Sequence, residues 1–313
     1  MRFSVVIPLY NKEAHISETI ESLLNQSFSD FEVLVVDDGS TDNSLEVAKK
    51  YESDRIRVLT KQNGGTASAR NLGINKARGT HICFLDADDY WLPHFLDTID
   101  ELITEFPQAG IYCAAYTFMK SGRQYHPGWH GLPSDEESFL VPDYFQSTLY
   151  GEQVATTSSA CVPIKVFEDV GPFDQTMRHT EDQELWNRIA MKYRVAFHTK
   201  LSAVYRQDAQ NMKTKRVPKH EIEFAAKLQQ QLDNGQVPEE KQEVAKKIIA
   251  ANLIGLASLN LLSGDKKTAR KFLSDPRTNN FPERKKAWEK LLPLPPFIIR
   301  WMYALRNKAQ NRR

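Results

Sequence analysis

The sequence predicts an α/β protein in which a mostly parallel sheet with helices on both faces is followed by an α-helical C-terminal region. Two observations lead to this prediction. In residues 1–105, short apolar runs alternate with helical patterns, which is typical of strand–helix–strand units with right-handed crossovers. From Pro218 onward, apolar residues recur almost continuously at helical spacing.

The first elements follow from the period of the apolar residues. Residues 3–8 form a continuous run rich in β-forming residues, as expected of a buried parallel strand. In residues 15–24 the apolar side chains recur every three or four positions, which predicts an amphipathic helix. The same alternation predicts strands at 31–36, 56–59 and 81–85 and helices at 45–51 and 67–76.

The next segment is richer in aromatic residues, Gly and Pro. Three apolar runs predict strands of a mixed sheet at 111–116, 160–162 and 194–197, and residues 183–192 read as a helix. Residues 119–143 are polar and aromatic and are predicted to form a long loop. We therefore predict a domain at 1–217, with halves 1–105 and 106–217, and a helical region at 218–313 with helices at 220–232, 239–262, 266–273, 284–292 and 297–305.

Composition excludes several classes of protein. The 41 basic and 40 acidic residues leave a net charge of +1, so no overall basic field favours nucleic acid as a partner. The three cysteines form no CxxC, which argues against a disulfide framework or a zinc knuckle and fits a reducing cytosol. No secretory signal is recognisable, and the apolar stretch 248–262 is shorter than the roughly 20 residues of a membrane span. The prediction is a cytoplasmic protein.

The charge is unevenly distributed. Residues 281–313 carry nine basic and two acidic side chains, an excess of seven positive charges, so the rest of the chain is net −6. An apolar stripe at helical spacing lies among these basic residues: Phe297, Ile298, Trp301, Met302 and Leu305. Two interpretations stay open, peripheral docking at the inner face of the cell membrane through 297–313, or a helix packed on its own domain.

Acidic residues cluster after two predicted strands. Asp37 and Asp38 follow the second strand, and Asp86, Asp88 and Asp89 follow the fourth. Ligands of open α/β sheets bind at the carboxyl ends of strands, and Asp-x-Asp places two carboxylates within reach of one Mg²⁺ or Mn²⁺. Turn or cap chemistry explains either cluster alone, but the two together favour a ligand site.

Five motifs in this order resemble the family 2 inverting glycosyltransferases, which have the GT-A fold. They are Val6-Ile7-Pro8-Leu9-Tyr10-Asn11, Val35-Val36-Asp37-Asp38-Gly39-Ser40, Asn63-Gly64-Gly65 with Ala69-Arg70-Asn71, Phe84-Leu85-Asp86-Ala87-Asp88-Asp89, and Glu181-Asp182-Gln183-Glu184-Leu185-Trp186. The resemblance covers roughly residues 3–206. The last hundred residues resemble no family that we can name.

The resemblance implies a nucleotide site and a metal site. The nucleotide site comprises Pro8, Tyr10, Asn11, Asp38, Arg70 and Asp86. In this family the counterpart of Asp38 hydrogen-bonds a pyrimidine base, and an acceptor-only carboxylate suits an imide N–H. Asp88, with Asp86, is implied to hold the Mn²⁺ or Mg²⁺ that bridges the diphosphate.

The last motif implies that Asp182 is the catalytic base, although Thr and acidic residues at this point also suit a helix start. Four further residues are candidates for contact with the acceptor or the donor sugar: Glu181, Trp186, His179 and Ser158. Each also has a structural interpretation. Trp186 fits a helix core, His179 an exposed loop, and Ser158 a strand edge.

These residues together predict a metal-dependent inverting glycosyltransferase. It would move a sugar from a nucleoside-diphosphate sugar, by family analogy a UDP-sugar, to a hydroxyl of a glycan or lipid-linked acceptor in cell-surface polysaccharide biosynthesis. One alternative is a sugar-nucleotide pyrophosphorylase, although such an enzyme ordinarily has a Gly-rich N-terminal loop that residues 8–11 do not form. The other alternative is a non-catalytic nucleotide-sugar binding protein.

Overall fold

The computed structural model describes residues 1–207 and 217–310, with the side chains of 304–310 left out. The chain divides into two compact units, Met1–Met212 and Lys213–Arg313. The boundary that the sequence places after residue 217 stays a prediction.

The first unit contains all the described strands and seven helices. The strands are β1 (Phe3–Leu9), β2 (Phe31–Asp37), β3 (Ile56–Thr60), β4 (His81–Phe84), β5 (Tyr90–Trp91), β6 (Ile111–Lys120), β7 (Arg123–Tyr125), β8 (Ser138–Leu140), β9 (Ala160–Pro163) and β10 (Val195–Arg206). The helices are α1 (Ile16–Leu24), α2 (Ser44–Lys49), α3 (Thr66–Lys76), α4 (Phe95–Glu105), α5 (Tyr144–Tyr150), α6 (Ile164–Val170) and α7 (Glu181–Lys192).

One sheet organises this unit, with the strand order β3-β2-β1-β4-β9-β6-β10-β5. Strands β3, β2, β1 and β4 are parallel to one another, and β6 is parallel to β10. Strands β9 and β5 run antiparallel to their neighbours. The predicted mostly parallel, mixed sheet is therefore confirmed. The carboxyl ends of β1, β2 and β4 lie along one edge.

Helices cover both faces of this sheet. On one face Val5 and Ile7 share a buried apolar cluster with Ile16 of α1. The neighbouring residue Val6 faces the other way, where α3 packs so closely that a Cβ on Gly73 would lie 2.3 Å from Val6 Cγ1. Gly73 is therefore needed for the contact between α3 and β1.

The structure corrects two predictions of local structure. The predicted loop 119–143 contains β7, β8 and the end of β6. All three residues of β7 are exposed, so no alternation of apolar and polar residues marks this strand in the sequence. The strand predicted at 194–197 is a twelve-residue strand, β10, with register shifts between His198 and Leu201 and between Leu201 and Ala203. These irregularities break the apolar pattern, but β10 continues to Arg206 beside the acidic cluster.

The second unit is helical in the part that the structure describes, as predicted. Its helices are α8 (Glu223–Asp233), α9 (Glu239–Ser263), α10 (Lys266–Leu273), α11 (Pro282–Glu289) and α12 (Pro296–Gln310). Helix α9 is long and apolar enough to cross a membrane, with a mean hydropathy of 1.3, but 61% of that window is buried inside the protein, as in a core helix. Of the predicted C-terminal stripe and its basic residues, the side chains of Leu305, Arg306, Lys308, Arg312 and Arg313 lie outside the described residues.

Candidate functional site

The turn after β1 presents the first motif at the carboxyl edge of the sheet. Pro8 is buried within β1, whereas Tyr10 is 45% exposed. Asn11 has a φ of 53°, a left-handed conformation that Asn tolerates better than most residues. Its Oδ1 accepts a hydrogen bond of 2.8 Å from the Thr41 backbone N–H. The turn is thus fixed to the neighbouring loop with the Tyr10 ring facing solvent.

Asp38 follows β2 and shapes the loop between β3 and α3. Its buried carboxylate accepts hydrogen bonds from Lys61 Nζ at 2.6 Å, the Gly64 N–H at 2.9 Å and the Gly65 N–H at 2.7 Å. The motif Asn63-Gly64-Gly65 is therefore held beside the end of β2. Recognition of a base by Asp38 stays a prediction.

Lys12 is a site residue that the sequence analysis missed. Its backbone N–H donates to Ser44 Oγ at 2.7 Å, and its Nζ lies 2.6 Å from Asp88 Oδ2, in an ion pair that is mostly buried. A positive charge thus contacts the carboxylate predicted to bind a metal. The signal was present in the sequence, since Lys12 directly follows Asn11 at a strand end that faces the acidic cluster.

Asp89 anchors the acidic turn after β4. Its carboxylate is buried and accepts hydrogen bonds from Ser158 Oγ at 2.5 Å and from the Arg206 N–H at 2.8 Å. Burial, and then the charges of Asp88 and Asp86, raise the pKa of Asp89 well above its usual range. The charges of two partly exposed carboxylates thus act on a buried third.

The same geometry corrects the prediction made for Ser158. Its hydroxyl was a candidate for contact with a sugar, but it is 1% exposed and donates to Asp89. It also accepts a hydrogen bond of 3.2 Å from the Asp86 N–H. Ser158 therefore positions the carboxylate turn instead of facing the cleft.

Arg70 joins the two ends of the acidic cluster. Its guanidinium is buried, with Nη2 2.7 Å from Asp86 Oδ1, Nη1 3.1 Å from Glu181 Oε1, and its carbon 5.3 Å from the centroid of the Phe173 ring. Both terminal nitrogens are thus engaged by carboxylates of the protein. Contact of Arg70 with the nucleotide stays a prediction. Glu181, a candidate sugar contact, is 7% exposed and paired with Arg70, and its contact with a sugar also stays a prediction.

Asp182 is the second residue of α7 and lies two residues after the strained Thr180. Thr180 has a φ of 60°, which is unusual for a β-branched residue and costs about 1–3 kcal/mol. The Asp182 carboxylate accepts hydrogen bonds from the Gln183 N–H at 2.8 Å and from Thr157 Oγ1 at 3.3 Å. Burial, then the charge of Glu181, raises the pKa of Asp182 above its ordinary value, against the opposing effect of Arg70. Asp182 is therefore a stronger base than a solvent-exposed Asp.

The two remaining candidates differ in their exposure. Trp186 is fully buried, with its ring centroid 6.1 Å from that of Phe84 and 6.0 Å from that of Phe173. This corrects its prediction as a sugar-stacking residue, since no face of the ring is accessible. His179 is exposed in the segment before α7, and its contact with a sugar stays a prediction.

Asp86 and Asp88 are the carboxylates that suit a metal ion. Within the described residues no group of three or more His, Cys, Asp or Glu side chains is arranged to hold a metal. Mg²⁺ commonly takes one or two carboxylates and completes its shell with water and substrate phosphates. Two partly exposed carboxylates beside a buried acid of raised pKa fit such an ion.

Comparisons with known proteins show the family of the chain. The model of "Glycosyl transferase family 2" matches residues 4–171. The uncharacterized glycosyltransferase EpsJ of Bacillus subtilis is 41% identical over 126 residues, which are 40% of this chain and 37% of EpsJ. The uncharacterized glycosyltransferase YibD of Escherichia coli is 36% identical over 137 residues, which are 43% of this chain and 39% of YibD. The chain thus spans less than two fifths of the length of these relatives.

Solved structures share the fold. S. aureus TarS superposes with a TM-score of 0.67 at 22% identity, covering 94% of this chain and 52% of TarS. TarS 1-349 in complex with UDP-GlcNAc superposes with a TM-score of 0.60 at 21% identity, covering 93% of this chain and 92% of that chain. The GT-A architecture is therefore confirmed. Because the family model matches more than half of its residues, this chain belongs to glycosyltransferase family 2.

Proposed function

We propose that the enzyme transfers a sugar from a UDP-sugar to a hydroxyl group of a glycan or lipid-linked acceptor, with inversion and with a divalent cation. The observation that carries the proposal is the bridge of Arg70 between Asp86 and Glu181. This bridge holds the end of β4, which would face the donor, beside the start of α7, which carries the candidate base.

Asp182 would take the proton of the attacking hydroxyl. In a single displacement the bond between the sugar C1 and the diphosphate oxygen breaks while C1 bonds to the acceptor oxygen. The proton passes to the Asp182 carboxylate, whose raised pKa favours that transfer. Thr157 and the Gln183 N–H orient the carboxylate, and the hydrogen bond from Thr157 is the long one, at 3.3 Å.

Asp86 and Asp88 would hold the divalent cation, Mn²⁺ or Mg²⁺. When bound, that cation supplies electrostatic stabilisation for the negative charge on the leaving diphosphate. Lys12 places a further positive charge at the same carboxylates, because its Nζ contacts Asp88. In the proposed arrangement, Lys12 and the cation would act on the leaving diphosphate, and Asp182 would act on the acceptor hydroxyl.

The identity of the nucleotide rests on two supports. TarS, which shares the fold, was solved with UDP-GlcNAc and with UDP. In this chain Asp38 follows β2 and lies beside the loop 61–65, and the exposed ring of Tyr10 lies at the same edge, where an aromatic face and a carboxylate suit a uracil base. The setting we propose is cytoplasmic, in the assembly of a cell-surface polysaccharide.

Replacing Asp88 by Asn is expected to abolish the effect of Mn²⁺ on donor binding. Thermal shift would be measured with UDP and UDP-sugars, with and without Mn²⁺, since a ligand that binds the native state raises the apparent stability. Asp54→Asn is the matched control, because Asp54 is exposed before β3, at the opposite end of that strand. An Asp88→Asn variant that kept the full Mn²⁺-dependent shift would refute the metal site.

Removing the charge of Lys12 is expected to weaken UDP binding about tenfold, the effect of losing one charge-assisted contact. Isothermal titration calorimetry of Lys12→Met with UDP and Mn²⁺ measures this. Lys165→Met is the control, because Lys165 is exposed on α6. An unchanged dissociation constant for Lys12→Met would show that Lys12 serves only to pair with Asp88.

A further inference from the structure

Helix α12 divides its apolar residues between two opposite sides. Ile299 is 1% exposed and packs in a cluster with Leu261 of α9 and Ala269 of α10. Phe297 and Trp301 lie two residues before and after Ile299, so at 100° per residue they occupy the opposite side of the helix. Among the helix side chains that the structure describes, Ile299 is buried and packs against its unit, while two large aromatic residues point away.

The aromatic residues on this side are unusually exposed. Phe297 is 71% and Trp301 is 64% exposed, the two largest values among the exposed large hydrophobic residues of the described chain. Met302 and Tyr303 lie on the flanks of the helix nearer to Ile299 and are 41% and 43% exposed. We call Phe297 and Trp301, one helical turn apart on the side opposite Ile299, the α12 patch. Large exposed aromatic residues on one side of a helix indicate an interaction surface.

The charge of the C-terminal segment indicates what the α12 patch contacts. Arg300 is exposed on α12 next to Trp301 in the sequence, and Lys286 and Lys290 are exposed at α11. Residues 281–313 together carry an excess of seven positive charges, whereas the rest of the chain is net −6. Basic residues attract an anionic lipid leaflet, and Trp and Phe prefer the interface between headgroups and acyl chains.

We propose that the α12 patch docks the protein in the plane of an anionic lipid bilayer. The aromatic side chains would enter the interface while the basic side chains contact lipid phosphates. Helix α9 has no part in this, because most of its apolar window is buried. The proposed docking surface consists of residues of α12. Docking would also bring the enzyme to a lipid-linked acceptor, and this second statement rests on the proposed function.

Vesicle co-sedimentation of the full chain tests the docking. Binding is expected to vesicles of equal parts phosphatidylglycerol and phosphatidylcholine, and to fall in about 1 M salt, where the Debye length shrinks to about 3 Å. The partition coefficient of the double variant Phe297→Ser with Trp301→Ser is expected to be lower than that of the wild type by about tenfold or more. Its thermal unfolding is expected to match that of the wild type, because both side chains are exposed.

Leu259→Ser is the matched control, because Leu259 is 47% exposed on α9, outside the patch, and its partitioning is expected to be unchanged. Equal sedimentation of the wild type and the double variant would overturn the proposal. So would a patch-dependent dimer in light scattering without vesicle binding, which would make a second copy of the chain the partner. UDP binding, measured on the same preparations, reports separately on the proposed function.

Discussion

Asp182→Asn is expected to lower the turnover number by about a hundredfold to ten-thousandfold, the usual contribution of a general base. The amide keeps the shape of the side chain and its contacts with Thr157 and Gln183 but cannot accept the proton of the acceptor hydroxyl. UDP binding is expected to persist, because Asp38, Asp86 and Asp88 are unchanged. Steady-state transfer assays and calorimetry with UDP measure the two properties.

The stability of Asp182→Asn shows whether a loss of turnover comes from the missing base or from unfolding. Because the pKa of Asp182 is raised in the folded protein, its ionised form destabilises the folded state at neutral pH. The neutral Asn removes that cost, so Asp182→Asn is expected to be at least as stable as the wild type. Glu168→Gln, an exposed change on α6, is the control and is expected to keep full turnover. Retained turnover in Asp182→Asn would place the base elsewhere.

The same group sets the expected pH dependence. A base acts only when it is deprotonated, so turnover is lost as the pH falls through the pKa of Asp182. Since burial and Glu181 raise that pKa above the ordinary 3.8, the acidic limb of the turnover profile is expected above that value. A limb at or below the ordinary value would contradict the assignment, provided that the protein stays folded there.

Arg70→Met is expected to destabilise the protein by about 3–5 kcal/mol, the usual result of removing one partner from a buried ion pair. Methionine fills part of the space but leaves Asp86 and Glu181 without their shared cation. Transfer is also expected to fall, because the two carboxylates repel each other once the bridge is gone. Urea unfolding and transfer assays measure these effects.

Two further variants make the test of Arg70 specific. Adding Glu181→Gln to Arg70→Met removes one unpaired buried charge and is expected to recover part of the lost stability. Lys192→Met breaks the exposed pair with Asp169 and is expected to change stability by no more than about 1 kcal/mol. If Arg70→Met were as mild as Lys192→Met, the bridge would have no structural role.

The sequence predicted the central strands because their side chains are buried on both faces. Strands β1 and β2 consist mostly of apolar residues, and all seven residues of each are buried. Helix α1 was predicted from its apolar period, and its buried residues lie on one side. The sequence did not predict β7, whose three residues are exposed, because no burial pattern selects their type.

The candidate site was predicted only in part, because the sequence does not show which side chains pack beside one another. The order of the motifs identified Asp86, Asp88 and Asp182 as candidate metal-binding and catalytic residues. It did not identify the side chains that would form hydrogen bonds or ion pairs with them. Lys12 contacts Asp88 from the turn after β1, which is distant in sequence. Trp186 and Ser158 have residue types that suit sugar binding, yet packing buries both.

The amino-acid sequence by itself determined the fold class, the order of the elements and the family, because apolar periodicity and motif order are local properties of the chain. Only the tertiary structure decided how the charges are partnered. Arg70 lies 111 residues before Glu181, and the approach of α3 to the start of α7 makes their ion pair. The sequence shows which side chains are charged. Which opposite charge lies beside each of them depends on how elements distant in the sequence pack together.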